Sequence, residues 1–147
     1  MTRSLRVARS AAIAYTVTFV AGSYLSIKRG YPARALGIDM GSDVRRGVLG
    51  GIHGGGLAAP WNLIVQMWVS LTLAPRAGAT GRRARAWLAL LSALFLAGSV
   101  GEPVSHKIVT RDLPPADTLV AVANIAFPIT MLAAALASLV DGEGECS

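Results

Sequence analysis

Charge is scarce in this 147-residue chain: only 15% of its residues are charged and only 6% are aromatic. A soluble domain of this length carries about 25% charge spread over its whole surface, so a soluble globular fold is excluded. Cysteine is nearly absent. The lone Cys146 can form neither an internal disulfide nor a Cys-x-x-Cys pair, which removes the small four-helix thiol oxidoreductases. Histidine occurs twice, at His53 and His106, with no His-x-x-x-His spacing and no carboxylate cluster, so neither a metal nor a haem site is expected. The glycine run at residues 50–56 lacks the Lys-Ser/Thr ending of a phosphate loop and reads as a flexible return or a close helix approach. No arrangement suggests a nucleophile triad, and no cofactor is implied.

What the chain has instead is four charge-free apolar stretches, at residues 10–27, 57–75, 86–101 and 118–140. Each is near the roughly 17 to 25 residues that a helix needs to cross a bilayer. Without water to satisfy backbone groups, each must be helical. The expected fold is all-α: an integral membrane four-helix bundle with helices at about 9–27, 57–75, 86–102 and 117–140. It forms a single domain over 1–147, with a long first loop and an acidic tail at 141–147. Arg3, Arg6 and Arg9 before the first stretch resemble a signal peptide, but the residues after Ala14, Gly22 and Ser23 make a poor cleavage site, so the segment is read as retained. The stripe Ala14, Thr18, Gly22 and Ser26 has the small-residue spacing of a packing seam.

The net charge of +6 is read as topology and contact with anionic headgroups, not as nucleic-acid binding. Arg3, Arg6 and Arg9 share one side with Arg76, Arg82, Arg83 and Arg85. The other side holds Lys28, Arg29, Arg34, Arg45, Arg46, Lys107 and Arg111. The count is tied. The short loop dense in arginine weighs more than the long loop with Asp39 and Asp43. The reading is therefore a multi-pass protein of a bacterial-type plasma membrane with both termini in the cytoplasm.

Up-and-down topology then gathers the polar residues in one half of the membrane. Asn62 and Gln66 share a face in the first turns of the second helix, four residues apart. Glu102 lies at the end of the third helix and His106 just beyond it, past Pro103, where the sequence leaves helicity open. Asn124 stands two turns into the fourth, on the face of Asp117, the expected N-cap, and of Pro128, the expected kink. Tyr24 ends the first helix here, and His53 approaches from the loop. Glu102 is the most informative. The apolar stretch before it spans only about 24 Å, short of the roughly 30 Å hydrocarbon core, so either Arg85 snorkels outward or Glu102 is drawn inward. A carboxylate at such depth suits general acid–base work. The candidate catalytic residues are Glu102 and His106; the candidate substrate-binding residues are Asn62, Gln66, Asn124, Tyr24 and His53.

Three features resemble a broad family of small four-helix membrane proteins that includes anthrone oxygenases. These are Val20-Ala21-Gly22-Ser23 followed by Pro32; the element Gly101-Glu102-Pro103-Val104-Ser105-His106-Lys107-Ile108; and the lead-in Pro114-Pro115-Ala116-Asp117. The likeness lies in layout and covers most of the chain. Ser105-His106 stands where the family often has Asn, and its Trp and Arg at the start of the last helix are missing. The resemblance implies enzymes of secondary metabolism acting on flat, lipophilic, polyketide-like substrates without an evident cofactor. The expected function is thus a membrane-embedded enzyme acting on a lipophilic polyketide- or terpenoid-like molecule by acid–base chemistry. Cofactor-free oxygenation, isomerisation, cyclisation and epoxide opening all fit. The expected partners are the lipid bilayer and that substrate. Two alternatives stay open: a transporter or channel built as a homo-oligomer, and a non-catalytic partner of a larger membrane protein.

Overall fold

The caps of the first helix set how far it runs. In the computed structural model, which describes residues 1–31, 43–44, 57–110 and 112–143, α1 (Arg3–Arg29) starts behind Thr2, whose hydroxyl accepts from the Leu5 amide at 3.4 Å. It stops at Gly30, whose φ of 69° lies in the left-handed region that glycine enters without a Cβ penalty. The helix therefore takes in Arg3, Arg6 and Arg9, ahead of the expected start near residue 9. Arginine is a good helix former, and its stem can lie on the helix while the guanidinium reaches the headgroups.

The other boundaries also move, each for a local reason. α2 (Trp61–Leu73) has 13 residues and is only about 20 Å long. It is shorter than the expected 57–75 because Pro60 caps it in an extended conformation and Leu57 is held elsewhere. α3 (Gly78–Gly101) starts well before residue 86, so Arg82, Arg83 and Arg85 sit in its first turns and not in a loop. The turn leading into it is tight: a Cβ on Gly81 would overlap the Arg76 carbonyl oxygen. α3 ends at Glu102, whose ψ of 133° is the extended conformation that a following proline imposes. Pro103 then opens a short helix, α4 (Pro103–Thr110), where the sequence left helicity open. α5 (Pro115–Glu143) likewise begins on a proline, so Asp117 is not the N-cap but lies inside the first turn. The helix continues through Pro128. Among the described residues no strand occurs.

α1, α3 and residues Pro115–Asp141 of α5 are long and apolar enough to cross a membrane; α2 is a shorter apolar helix. α5 is the central element, with α1 and α3 packed along it. It runs antiparallel to α1: Ser4 donates to Asp141 at one end at 2.7 Å, and Arg29 meets Asp117 at the other. Edge-to-face packing of Phe19 on Trp61 and a Trp68 Nε1 to Thr16 Oγ1 bond of 3.1 Å set α2 antiparallel to α1 as well. Tyr15 and Phe95, with ring centroids 4.9 Å apart, join α1 to α3.

The buried faces of α1 and α5 follow one rule. On α1 a stripe runs through Ala8, Ala12, Tyr15, Phe19, Gly22 and Ser26, with Leu5, Ala11 and Ser23 also buried; on α5 it runs through Asp117, Ala121, Asn124, Pro128, Met131, Ala135 and Ser138, with Val120 and Ala134 buried beside it. Both alternate steps of four and three, the spacing of long helices crossing at a shallow angle. Gly22 and Ser26 of the expected seam are buried, while Ala14 and Thr18 stand beside it, half-buried. Lipid is as apolar as these side chains, so close packing and interhelical hydrogen bonds hold such a pair together.

Candidate functional site

The end of α1 turns back into the bundle. Gly30 in its left-handed conformation lets the Tyr31 amide bond the Ser26 carbonyl at 3.0 Å, and this carries Tyr31 over the start of α5. Its hydroxyl donates to Asp117 Oδ2 at 2.9 Å, and Arg29 Nε lies 3.6 Å from the same oxygen. Asp117 is fully buried, whereas the Arg29 side chain keeps 43% of its surface. A carboxylate out of water is costly unless paired. Here Arg29 and Tyr31 supply that pairing, at the N-terminal turn of α5. The other oxygen, Oδ1, has no hydrogen-bond partner among the described residues. Burial raises the Tyr31 phenol above its ordinary value of 10.0, and the adjacent Asp117 raises it further, against a smaller opposing effect of Arg29. Tyr31 therefore stays a donor.

Deeper in the same half, the chain before α2 is clamped between α1 and α5. The Leu57 amide donates to Ser26 Oγ at 3.1 Å, and Asn124 Nδ2 donates to the Leu57 carbonyl at 2.8 Å. Gly22 leaves the room: a Cβ there would overlap that carbonyl oxygen. Two more buried polar atoms, Ser23 Oγ and Asn124 Oδ1, have no partner among the described residues. Asp117 and Asn124 lie about 10 Å apart along the α5 axis. Apolar residues wall this region: Leu57, Val104, Val120 and Ala121 cluster with Leu25 and Tyr31. The unpartnered oxygens of Asp117, Asn124 and Ser23 thus lie in the same half of the bundle as this apolar cluster.

Of the residues expected from sequence, Glu102 and Asn124 are buried. Glu102, 9% exposed, sits at the α3–α4 junction. Arg85 is half-buried, with a buried Nε that has no hydrogen-bond partner among the described residues. His106 is exposed on α4. Tyr24 is 62% exposed, with the Lys28 ammonium 5.7 Å from its ring centre. Asn62 is exposed and Gln66 half-buried on α2, and no hydrogen bond ties either side chain to the cluster among the described residues. His53, the glycine run at 50–56 and Cys146 lie outside the described residues. Among the described residues no three His, Cys, Asp or Glu side chains converge as metal ligands.

Sequence reasoning placed Asp117 at a cap and missed its partners. The signal was present in part, because Asp117 and Asn124 are seven residues apart on one helical face. Nothing in the spacing of Arg29 and Tyr31 pointed to Asp117, since the turn at Gly30 creates that contact. An open groove also exists, but at the opposite end of the bundle, between α1 and α5. No family model matches the chain, no curated protein is similar to it, and no solved structure matches it.

Proposed function

We propose that this chain is a membrane-embedded enzyme that acts on a lipophilic small molecule by acid–base chemistry, with Asp117 as the group that takes and returns the proton. The observation that carries this reading is a fully buried carboxylate with one oxygen held by Tyr31 and Arg29 and the other unpartnered among the described residues. Intramembrane ionisable residues are costly, and where they occur they commonly mark functional sites. The free carboxylate and amide oxygens accept and the Ser23 hydroxyl can also donate, so the ligand they suit carries a hydroxyl or another donor on an apolar body. Asn124 and Ser23 would orient it, and Tyr31 would hold the carboxylate in place. Isomerisation or cyclisation follows most directly, because one base can remove a proton and return it at another atom of the same molecule. Glu102 is the second acid–base candidate in this half of the bundle. In the same reading α2 completes the bundle as a fourth crossing, and the arginine-rich end, with both termini, faces the cytoplasm of a bacterial-type plasma membrane.

A second reading has its own support. The Arg29–Asp117 pair joins the end of α1 to the start of α5, as a purely structural clamp would. Asp117→Asn separates the two, since it keeps an acceptor for Tyr31 and removes the base. Lipophilic metabolites of hosts carrying wild type, a deletion and Asp117→Asn would be compared, alongside thermal unfolding of the purified proteins. The enzyme reading expects the deletion and Asp117→Asn to accumulate the same precursor while the variant unfolds close to wild type. Unfolding far below wild type would favour the clamp. An unchanged metabolite profile in Asp117→Asn would remove it as the base.

A further inference from the structure

The groove at the arginine-rich end is independent of the Asp117 reading. It is open, has a volume of about 600 Å³, and lies between the first turns of α1 and the middle of α5. This is the size range that seats a small ligand or one acyl chain. Arg3 and Arg6 line it at one end, and Val7, Ala11 and Phe127 give it an apolar wall. Both arginines are exposed, and neither guanidinium has an ion-pair partner among the described residues. Asp141, the one acidic side chain bonded to this part of α1 among the described residues, accepts from Ser4.

We propose that this groove binds one anionic phospholipid, with its phosphate between Arg3 and Arg6 and an acyl chain along Val7, Ala11 and Phe127. Three observations fit that occupant together. The arginines occupy the first turns of a helix long and apolar enough to cross a membrane, which is the headgroup zone. Ser10, also in the lining, lies about 6 Å further along the helix than Arg6, deep enough to meet the ester carbonyls below a phosphate. The rest of the lining is Val7, Ala11, Phe127 and Thr130, whose hydroxyl is turned to the Ala126 carbonyl at 3.0 Å, which leaves a mainly apolar surface for an acyl chain. A zwitterionic lipid offers the same chain but no net charge, so the arginines set the preference. Each basic residue near an anionic surface contributes about fivefold.

The test uses the purified full-length protein in a neutral detergent, offered equal amounts of phosphatidylglycerol and phosphatidylcholine with identical acyl chains. Retained lipid is measured by native mass spectrometry. Wild type is expected to prefer phosphatidylglycerol by about tenfold or more, and Arg3→Gln/Arg6→Gln to fall to near parity. These positions are exposed, so the double variant should unfold at the wild-type temperature. Val7→Asp, which puts a charge on the exposed part of the apolar wall, should lose phosphatidylglycerol while keeping its arginines. Equal retention of the two lipids by wild type would overturn the proposal, as would a preference that survives Arg3→Gln/Arg6→Gln. Oxidative cross-linking of Val7→Cys between copies, in a Cys146→Ser background, would assign the groove to a second copy of the chain and overturn it too.

Discussion

Two aspartates on α5 both reach α1, and they behave as different residues. Asp117 at the start of the helix is fully buried, bonded by Tyr31 and paired with Arg29. Asp141 near its end is exposed and takes one bond from the Ser4 hydroxyl. The helix dipole adds to the contrast, favouring negative charge at the first turn and opposing it at the last. Each contact fastens the same pair of antiparallel helices. Only the first places a charge where losing its partner leaves it unsolvated.

The largest effect should come from removing the buried member. Asp117→Ala leaves Tyr31 without its acceptor and Arg29 without its counterion. Breaking a buried pair costs about 3–5 kcal/mol, but water can reach the half-exposed Arg29, so about 2 kcal/mol is expected. Denaturant unfolding of the reconstituted protein measures this, and a loss below about 0.5 kcal/mol would erase the contrast.

Next come two glycines in the Asp117 half of the bundle, one tightly packed and one not. Gly22→Ala must displace the Leu57 carbonyl, and overpacking of this kind costs about 1–3 kcal/mol. At Gly98 an added Cβ meets nothing within 4 Å, so Gly98→Ala should be neutral or stabilising by up to about 1 kcal/mol. Thermal midpoints of the two variants should therefore move in opposite directions, or only the first should move.

A pH series sharpens the Asp117 end. The Tyr31 phenol is raised in the folded state, so its contribution is fully present below the unfolded value of about 10 and is lost as pH rises through the higher folded value. Wild type should lose stability relative to Tyr31→Phe above about pH 10. Parallel curves through that window would show that the phenol is not held by Asp117. The smallest effect belongs to the other end: Ser4→Ala and Asp141→Ala should each change stability by no more than about 0.5 kcal/mol, as exposed substitutions usually do. A loss of the Asp117→Ala size at either position would break the comparison.

Much of the candidate site was legible in outline and little of it in detail. Up-and-down topology alone put Ser26, Glu102, Asp117 and Asn124 at one end of the bundle, and all four are buried there. Spacing could not tell that Tyr24 turns outward while Tyr31, just past the helix, turns in. That difference depends on one left-handed glycine and on the space above α5. His106 shows the same limit: four residues from Glu102, it would share its face on a continuous helix, but Pro103 forces a break and His106 is exposed on a new helix.

The amino-acid sequence by itself determined the apolar helices and put Asp117, Asn124 and Pro128 on one face of the last, because period and hydropathy are local properties of the chain. It also determined the end of α3 before Pro103, since a proline constrains the residue before it, whereas α5 starts at Pro115, two residues ahead of the expected Asp117 cap. Only the tertiary structure decided which polar atoms are satisfied. Whether Asp117, Asn124 and Ser23 find partners depends on residues far apart in the chain meeting within about 3 Å, and a one-dimensional pattern does not carry that distance.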